Sequence, residues 1–359
     1  MSVEGAAVTY TTPGSDFENI LKTTKFTVEF DKIKPNQVVI KAKATPINPS
    51  DLGQIIGGYN DPKKISHLGT AENQPLSVGG NEGVYQVIYV GSNVKEFSKG
   101  DQVIPWLPAF GTWRTIAIAE ERDLIKVNGI SVNQAATISI NPSTAYQILN
   151  QFVTDWKNGE DWIIQNSGNS QVSKYVSQLA TKLYGISVIS IVRDGKSQDE
   201  IDGLLKLGAK HVISESEFKD EKFDIKKYTG DKANVRLALN GSTNSTVSSL
   251  VKSLSPNGTL VSYGVVGGTK IEYDERLQLF RNLATKPFWL TANTYRDPQF
   301  KKQTVEKLVH LYKEGKITDV PYNKVLYKAT DGDKEDLTQV YLKSIAASRK
   351  SGKQVIFYE

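Results

Sequence analysis

The chain has 359 residues, of which 39% are hydrophobic and 23% charged, with a net charge of +5; that length suits about two domains. It contains no cysteine, which excludes disulfides, thiolate metal sites and a cysteine nucleophile, and its histidines, His67, His211 and His310, stand in no metal-ligand spacing. No apolar run approaches the roughly 18 residues of a membrane span. The mild basic excess, without a basic block or an RNA-binding signature, favours an anionic ligand such as a nucleotide or a phosphopantetheine carrier over specific nucleic-acid binding.

The N-terminus carries Glu4, Asp16 and Glu18 and no arginine before Arg114. That is unlike a signal or transit peptide. It leaves a cytosolic protein, or one from which a targeting segment has been removed. The first part of the chain then reads as short strands between turns. Residues 38–43 follow the Pro35-Asn36 turn, residues 83–90 end at Gly91-Ser92-Asn93, and residues 102–105 follow Gly100-Asp101. Residues 111–115 open a further strand. This texture suggests a compact barrel-like domain.

From about residue 144 strands and helices alternate. An apolar run, Asp161-Trp162-Ile163-Ile164-Gln165-Asn166, meets a small polar turn, Ser167-Gly168-Asn169-Ser170-Gln171. In the helix that follows, Val172, Tyr175, Val176, Leu179, Ala180 and Leu183 share one face, and Gly185 stops it. A second apolar run spans residues 186–192. Further strands are expected at 210–214, 236–240 and 258–264, with a helix marked by Ile201, Leu204, Leu205 and Gly208. The alternation predicts a parallel sheet with helices on both faces. Val305, Leu308, Val309 and Tyr312 mark one more helix, ended by Gly315, and residues 354–358 a last strand that returns to the first domain.

A strand that ends in a small-residue turn at a helix N-terminus is suited to a pyrophosphate, because helix N–H groups and the dipole point at the anion. Gly168, Asn169 and Ser170 are small enough, although the three-glycine fingerprint is absent and Ser173 stands where a third glycine is expected. A crossover that binds nothing would show the same turn. Arg193, directly after the second strand, sharpens the reading: NAD sites place an acid there, whereas a cation pairs with the 2′-phosphate of NADPH. Asp194 follows it, and Lys196 adds charge. A solvated surface arginine is the alternative.

With these residues placed, the chain resembles the medium-chain dehydrogenase/reductase superfamily. The resemblance rests on Gly80-Asn81-Glu82-Gly83, residues 90–94 and 99–103, Leu207-Gly208-Ala209-Lys210 and Asn257-Gly258-Thr259. Lacking cysteine, it is similar to a zinc-free branch, and within that to the fungal mitochondrial 2-enoyl thioester reductases. Residues 46–51, Gly58-Tyr59, Gly111-Thr112-Trp113, Asn141-Pro142, residues 162–166, Phe288-Trp289 and Gly352-Lys353-Gln354 carry this.

The resemblance implies an α/β chain. A GroES-like β-rich catalytic domain would comprise residues 1–143 and 300–359, and a Rossmann doubly wound parallel-sheet cofactor domain residues 144–299. It implies a tyrosine proton donor at Tyr59 and nicotinamide-side contacts at Asn141. Phosphate contacts fall at Asn169, Ser170, Gln171 and Val172, and the 2′-phosphate segment at Arg193, Asp194 and Gly195. Later cofactor loops fall on Tyr263, Gly264, Val265 and Val266, and on Phe288, Trp289 and Leu290, with Lys353 reaching the cofactor. Gly195 stands where the family has a second arginine, Asn60 where it has proline, and Val265-Val266 where it has another glycine.

The activity implied is NADPH-dependent reduction of an enoyl-CoA or enoyl-acyl-carrier-protein, with hydride to Cβ and a proton to Cα, in a mitochondrial matrix homodimer. The alternatives are an NADPH quinone or enone oxidoreductase of the same branch and an NADPH-binding scaffold without turnover. No metal is expected.

Overall fold

The computed structural model describes residues 1–59, 65–71, 76–328 and 336–359. The chain divides into two compact units, one of residues 1–140, 294–313 and 321–359 and the other of residues 141–293 and 314–320.

The first unit opens with β1 (Ser2–Tyr10), the single-turn helix α1 (Phe17–Ile20) and β2 (Lys22–Glu29). It continues through β3 (Gln37–Pro46), α2 (Pro49–Ile55), β4 (Ile65–Ser66), β5 (Leu76–Val78), β6 (Val84–Val90), β7 (Gln102–Pro105), β8 (Ile116–Glu120), β9 (Leu124–Lys126) and α3 (Val132–Thr137). Strand β3 is its spine: it pairs antiparallel with β6 and with β8, and its β-branched run Val38-Val39-Ile40 is fully buried. The expected strand at residues 111–115 begins later, at Ile116. The backbone of 111–113 is occupied elsewhere, donating to Gly80 O and Gly79 O, and Trp113 is buried.

The second unit carries α4 (Asn141–Gln151), β10 (Asp161–Gln165), α5 (Gln171–Leu179), β11 (Ser187–Val192), α6 (Gln198–Lys206), β12 (His211–Ser214), α7 (Glu215–Lys219), α8 (Lys226–Thr229), β13 (Asn234–Asn240), α9 (Val247–Ser253), β14 (Thr259–Ser262), α10 (Glu275–Arg281) and β15 (Ala284–Pro287). The strands lie in the order β12-β11-β10-β13-β14-β15, all parallel. Every residue of β10 is buried, as expected of a central strand covered on both faces. Helix α5 ends in a π-helical turn, residues 180–184, and Gly185 caps it in the left-handed region at φ +66°. The sheet order reverses between β10 and β13, and ligands of such sheets bind at the carboxyl ends of strands at that point.

The helix α11 (Leu290–Arg296) spans the division between the units. After it, α12 (Pro298–Lys313), β16 (Asn323–Tyr327), α13 (Leu337–Ser351) and β17 (Gln354–Tyr358) complete the first unit. Strand β17 pairs antiparallel with β3 and parallel with β16.

Candidate active site

In the first unit the site is built around α2. Asn48 caps this helix and Asp51 closes a capping box, accepting from the Asn48 N–H at 2.8 Å. The other Asp51 oxygen accepts from the backbone and side-chain N–H of Asn81, at 2.9 and 2.7 Å. Asp51 is fully buried. Burial raises its carboxyl to about 6, against the lowering effect of these donors and of Lys353.

Glu82, 1% exposed, accepts from the Ile140 N–H at 2.7 Å and from Asn48 Nδ2 at 3.0 Å. Two ammonium groups face it. Lys353 Nζ donates to Asn48 Oδ1, and Lys301 Nζ, 3% exposed, donates to Ser139 O. Burial pushes the Glu82 carboxyl up and both ammonium groups down, Lys301 to about 8. Glu82 and the two lysines moderate each other's shifts, and Lys353 also moderates that of Asp51, so the cluster sets two acids beside two amines.

Tyr59 sits just beyond α2. Its ring occupies the space where a side chain at Gly53 would project: a Cβ there would lie 2.4 Å from Tyr59 Cε2. Gly57, at φ +78°, and the Gly58 N–H, bonded to Gly53 O at 2.9 Å, turn the chain back to bring this about. Burial, then the Asp51 carboxylate, raises the Tyr59 phenol above its ordinary value, so it carries its proton throughout the neutral range. Asn60 lies outside the described residues.

In the second unit the polar turn packs closely against β11. The Gly168 N–H donates to Ile191 O at 2.8 Å, and a Cβ on Gly168 would meet Ser190 Cβ at 2.8 Å. Ser167 takes φ +50°. Ser170 caps α5, its Oγ accepting from Ser173 N at 3.2 Å. Ser173, in the place of the third glycine, is buried and lies 3.3 Å from the Tyr263 hydroxyl, which fastens the turn to the loop after β14. Asn169, Gln171 and Val172 complete the turn and the first turn of α5, all partly buried.

A polar stitch across the carboxyl ends of β10, β13 and β14 holds these loops. Asn166 Nδ2 donates to Asn240 Oδ1 at 3.1 Å, and Asn166 Oδ1 accepts from Gly241 N at 2.6 Å. Asn240 Nδ2 donates to Ser262 Oγ at 3.0 Å, and Thr243 Oγ1 donates to Gly264 O at 3.0 Å. A Cβ on Gly264 would lie 2.1 Å from Gly241 O, so only glycine lets the two loops approach. Val265 and Val266 beyond it are exposed.

At the end of β11, Arg193 is exposed, and among the described residues it has no ion-pair partner. Lys196 pairs with Glu200 at 2.7 Å. Lys174, on α5, lies close enough to Lys196 that burial and this like charge hold its ammonium below the ordinary range. Asp194 turns to Ser216, and Gly195, at φ +76°, has open space around it.

A small-residue turn, a helix N-terminus and cations beside the second strand make a cradle that fits NADPH. Asn141 opens α4, with Pro142 in the first turn. Phe288 is buried against Phe152, with ring centroids 6.3 Å apart, and so belongs to this unit's core, whereas Trp289 is 41% exposed and Leu290 begins α11. Tyr59 and Lys353 belong to the first unit, and the other candidate residues to the second.

Comparisons with known proteins agree with this construction. Residues 34–132 match the alcohol dehydrogenase GroES-like domain family and residues 172–309 the zinc-binding dehydrogenase family. The chain is 45% identical to an enoyl-[acyl-carrier-protein] reductase 1, mitochondrial, of Debaryomyces hansenii, over 100% of both chains. It belongs to the enoyl thioester reductases of the medium-chain dehydrogenase/reductase superfamily.

It is also 38% identical to an NADPH quinone oxidoreductase of Kluyveromyces marxianus, over 86% of this chain and 82% of the other. Among solved structures, the Etr1p/NADP/crotonyl-CoA complex superposes with a TM-score of 0.92 at 35% identity, over 99% of this chain and 100% of that one. An Etr1p/Etr2p heterodimer of 2-enoyl thioester reductase from Candida tropicalis gives 0.92 at 36%, with the same coverage.

The fold is therefore a GroES-like β-rich domain with a Rossmann-type parallel-sheet domain. The zinc in one family's name does not fit this member. The chain has no cysteine, and no group of three or more His, Asp or Glu among the described residues could hold a metal. The buried carboxylates of Asp51 and Glu82 are already taken by backbone and amide N–H donors.

Proposed function

We propose that this protein reduces trans-2-enoyl thioesters with NADPH, with Tyr59 as the proton donor. The observation that carries the reading is the seating of the Tyr59 phenol on Gly53 beside buried Asp51, in a chain related end to end to enoyl-[acyl-carrier-protein] reductases. The functional division gives the substrate side to residues 1–143 and 300–359, and the cofactor to residues 144–299.

NADPH, when bound, supplies the hydride that adds to the substrate's Cβ. The chain's own work is the rest. Asn169, Ser170, Gln171, Val172 and the start of α5 hold the pyrophosphate. Arg193 with the Asp194-Gly195 turn meets the 2′-phosphate, and the loops Tyr263-Gly264-Val265-Val266 and Phe288-Trp289-Leu290 bound the cofactor. Asn141 orients its nicotinamide end, and Lys353, whose Nζ donates to Asn48 Oδ1, is a further cofactor residue. As charge builds on the thioester oxygen, Cα becomes basic. Tyr59, fully protonated at neutral pH, gives it a proton.

Relatives named mitochondrial support placement in the mitochondrial matrix, in fatty acid synthesis on CoA or acyl-carrier-protein thioesters. A homodimer is the assembly that fits the second unit. Strand β15 is the last strand of its sheet among the described residues, and Leu279 and Phe280, just before it, are 71% and 78% exposed. Sedimentation velocity tests this: the wild type is expected to run as a pair of chains and Phe280→Asp as a single chain, and a wild type that runs as one chain refutes it.

The quinone oxidoreductase relative supplies the competing reading. Side-by-side turnover of NADPH with crotonyl-CoA and with a simple quinone separates the two, crotonyl-CoA being preferred by orders of magnitude. Quinone turnover that is faster and indifferent to Tyr59 would favour the competitor.

A further inference from the structure

The cofactor segment after β11 contains a contradiction. An acid at this place in a parallel dinucleotide sheet accepts from the 2′-hydroxyl of NADH and repels the 2′-phosphate of NADPH. Asp194 is such an acid, one residue from Arg193. Yet its carboxylate does not face the phosphate turn. Its Oδ1 accepts from the Ser216 hydroxyl at 2.5 Å and from the Ser216 backbone N–H at 3.2 Å.

Ser216 follows β12, whose Ser214 caps α7 and lies 3.1 Å from the Ser216 hydroxyl. Strands β10 and β12 flank β11 on opposite sides. The phosphate turn follows β10. Asp194 is therefore drawn to the side of the sheet away from that turn. The two Ser216 donors also hold its carboxyl below the usual range, so it stays ionised where it is. Gly195, at φ +76° with nothing within 4 Å of a would-be Cβ, supplies the left-handed backbone of this turn. Arg193 is left exposed and without an ion-pair partner among the described residues. Lys196, bound to Glu200, is partly neutralised.

We propose that Ser216 is a specificity-determining residue for the cofactor: by anchoring the Asp194 carboxylate at the start of α7, it clears the second-ribose position and leaves Arg193 to select the 2′-phosphate. Selection for NADPH then depends on a serine in the neighbouring crossover as well as on the arginine. This rests on the reading that NADPH is the reductant.

Isothermal titration with two cofactor fragments tests it without turnover: adenosine 2′,5′-bisphosphate, which carries the 2′-phosphate, and 5′-AMP, which does not. Ser216→Ala is expected to lower the affinity ratio of bisphosphate over 5′-AMP about tenfold, the scale of one short-range like-charge contact. Ser216→Thr, which keeps the hydroxyl, is expected to retain the wild-type ratio. In an Asp194→Ala background, Ser216→Ala is expected to change nothing, since no carboxylate remains to release.

An unchanged ratio in Ser216→Ala, or the same change with and without Asp194, overturns the proposal while leaving NADPH in place. A wild type that prefers 5′-AMP overturns both. Ser216 is exposed, so the variants are expected to fold.

Discussion

Tyr59→Phe is expected to lower turnover of crotonyl-CoA by about 10²–10⁴-fold, the usual contribution of a positioned general acid, while NADPH binds as before. The hydroxyl is the only group removed, and the ring remains seated on Gly53. The second unit, which holds the proposed cofactor cradle, is untouched. Burial and the Asp51 carboxylate both favour the protonated phenol, so the wild-type rate is expected to stay flat through neutral pH on the acid's account. Gly53→Ala gives an independent check. Its methyl would fall 2.4 Å from the ring, displacing the phenol without altering it, and it is expected to reduce kcat more than NADPH affinity. Stopped-flow turnover and fluorescence titration of NADPH separate the two quantities. A Tyr59→Phe variant that keeps more than half of the wild-type rate would remove this tyrosine from the chemistry.

The second large effect is expected at Glu82. Its carboxylate accepts from the Asn48 amide and the Ile140 N–H, and its charge acts on the nearby Lys301 and Lys353 ammonium groups, which themselves donate to Ser139 O and Asn48 Oδ1. Glu82→Gln removes the charge and leaves Lys301 and Lys353 buried with only neutral acceptors and Asp51. Breaking a direct buried pair costs about 3–5 kcal/mol; for this more distant balancing charge the lower end is expected, a Tm lower by about 6 °C for a domain of this size. Adding Lys301→Met to Glu82→Gln is expected to recover part of the loss, because the cation that lost its partner is then replaced by an apolar chain of similar length. Differential scanning calorimetry reads both. A Glu82→Gln Tm within 2 °C of the wild type, or a double variant worse than the sum of the singles, would contradict the account of this cluster.

The second unit was largely legible in the sequence because its signals are local. Apolar runs of five to seven residues, a small-residue turn and a helix of one apolar face recur in order, and the strands expected at 186–192, 210–214 and 236–240 overlap those observed at Ser187–Val192, His211–Ser214 and Asn234–Asn240; in the first unit, those at 102–105 and 354–358 coincide with the observed strands. The hairpin β1–β2 gave no such signal. Gly5 in β1 is small because Phe26 of the partner strand lies over it, a Cβ there meeting its ring at 2.5 Å. Close packing of that kind erases the β-branched pattern by which strands are recognised. Strand β15, Ala284–Pro287, is equally short of signal.

The buried charge cluster was hidden for a different reason. Asp51, Glu82 and Lys301 come from three distant segments, and nothing local announces that their charges cancel. One trace was available: Lys301 falls on the same helical stripe as Val305, Leu308 and Tyr312, all buried, and a charge on an apolar stripe marks a buried partner. Ser173 likewise departs from the glycine fingerprint for a reason visible only in three dimensions, its contact with Tyr263.

The most direct test of the proposed reaction is the fate of the two hydrogens. Crotonyl-CoA reduced with NADPH in D₂O, followed by NMR of the product, is expected to give butyryl-CoA with a single deuterium at Cα and none at Cβ, since the phenol exchanges with solvent and the nicotinamide hydrogen does not. Deuterium at Cβ, or NADPH consumed without butyryl-CoA, would contradict it.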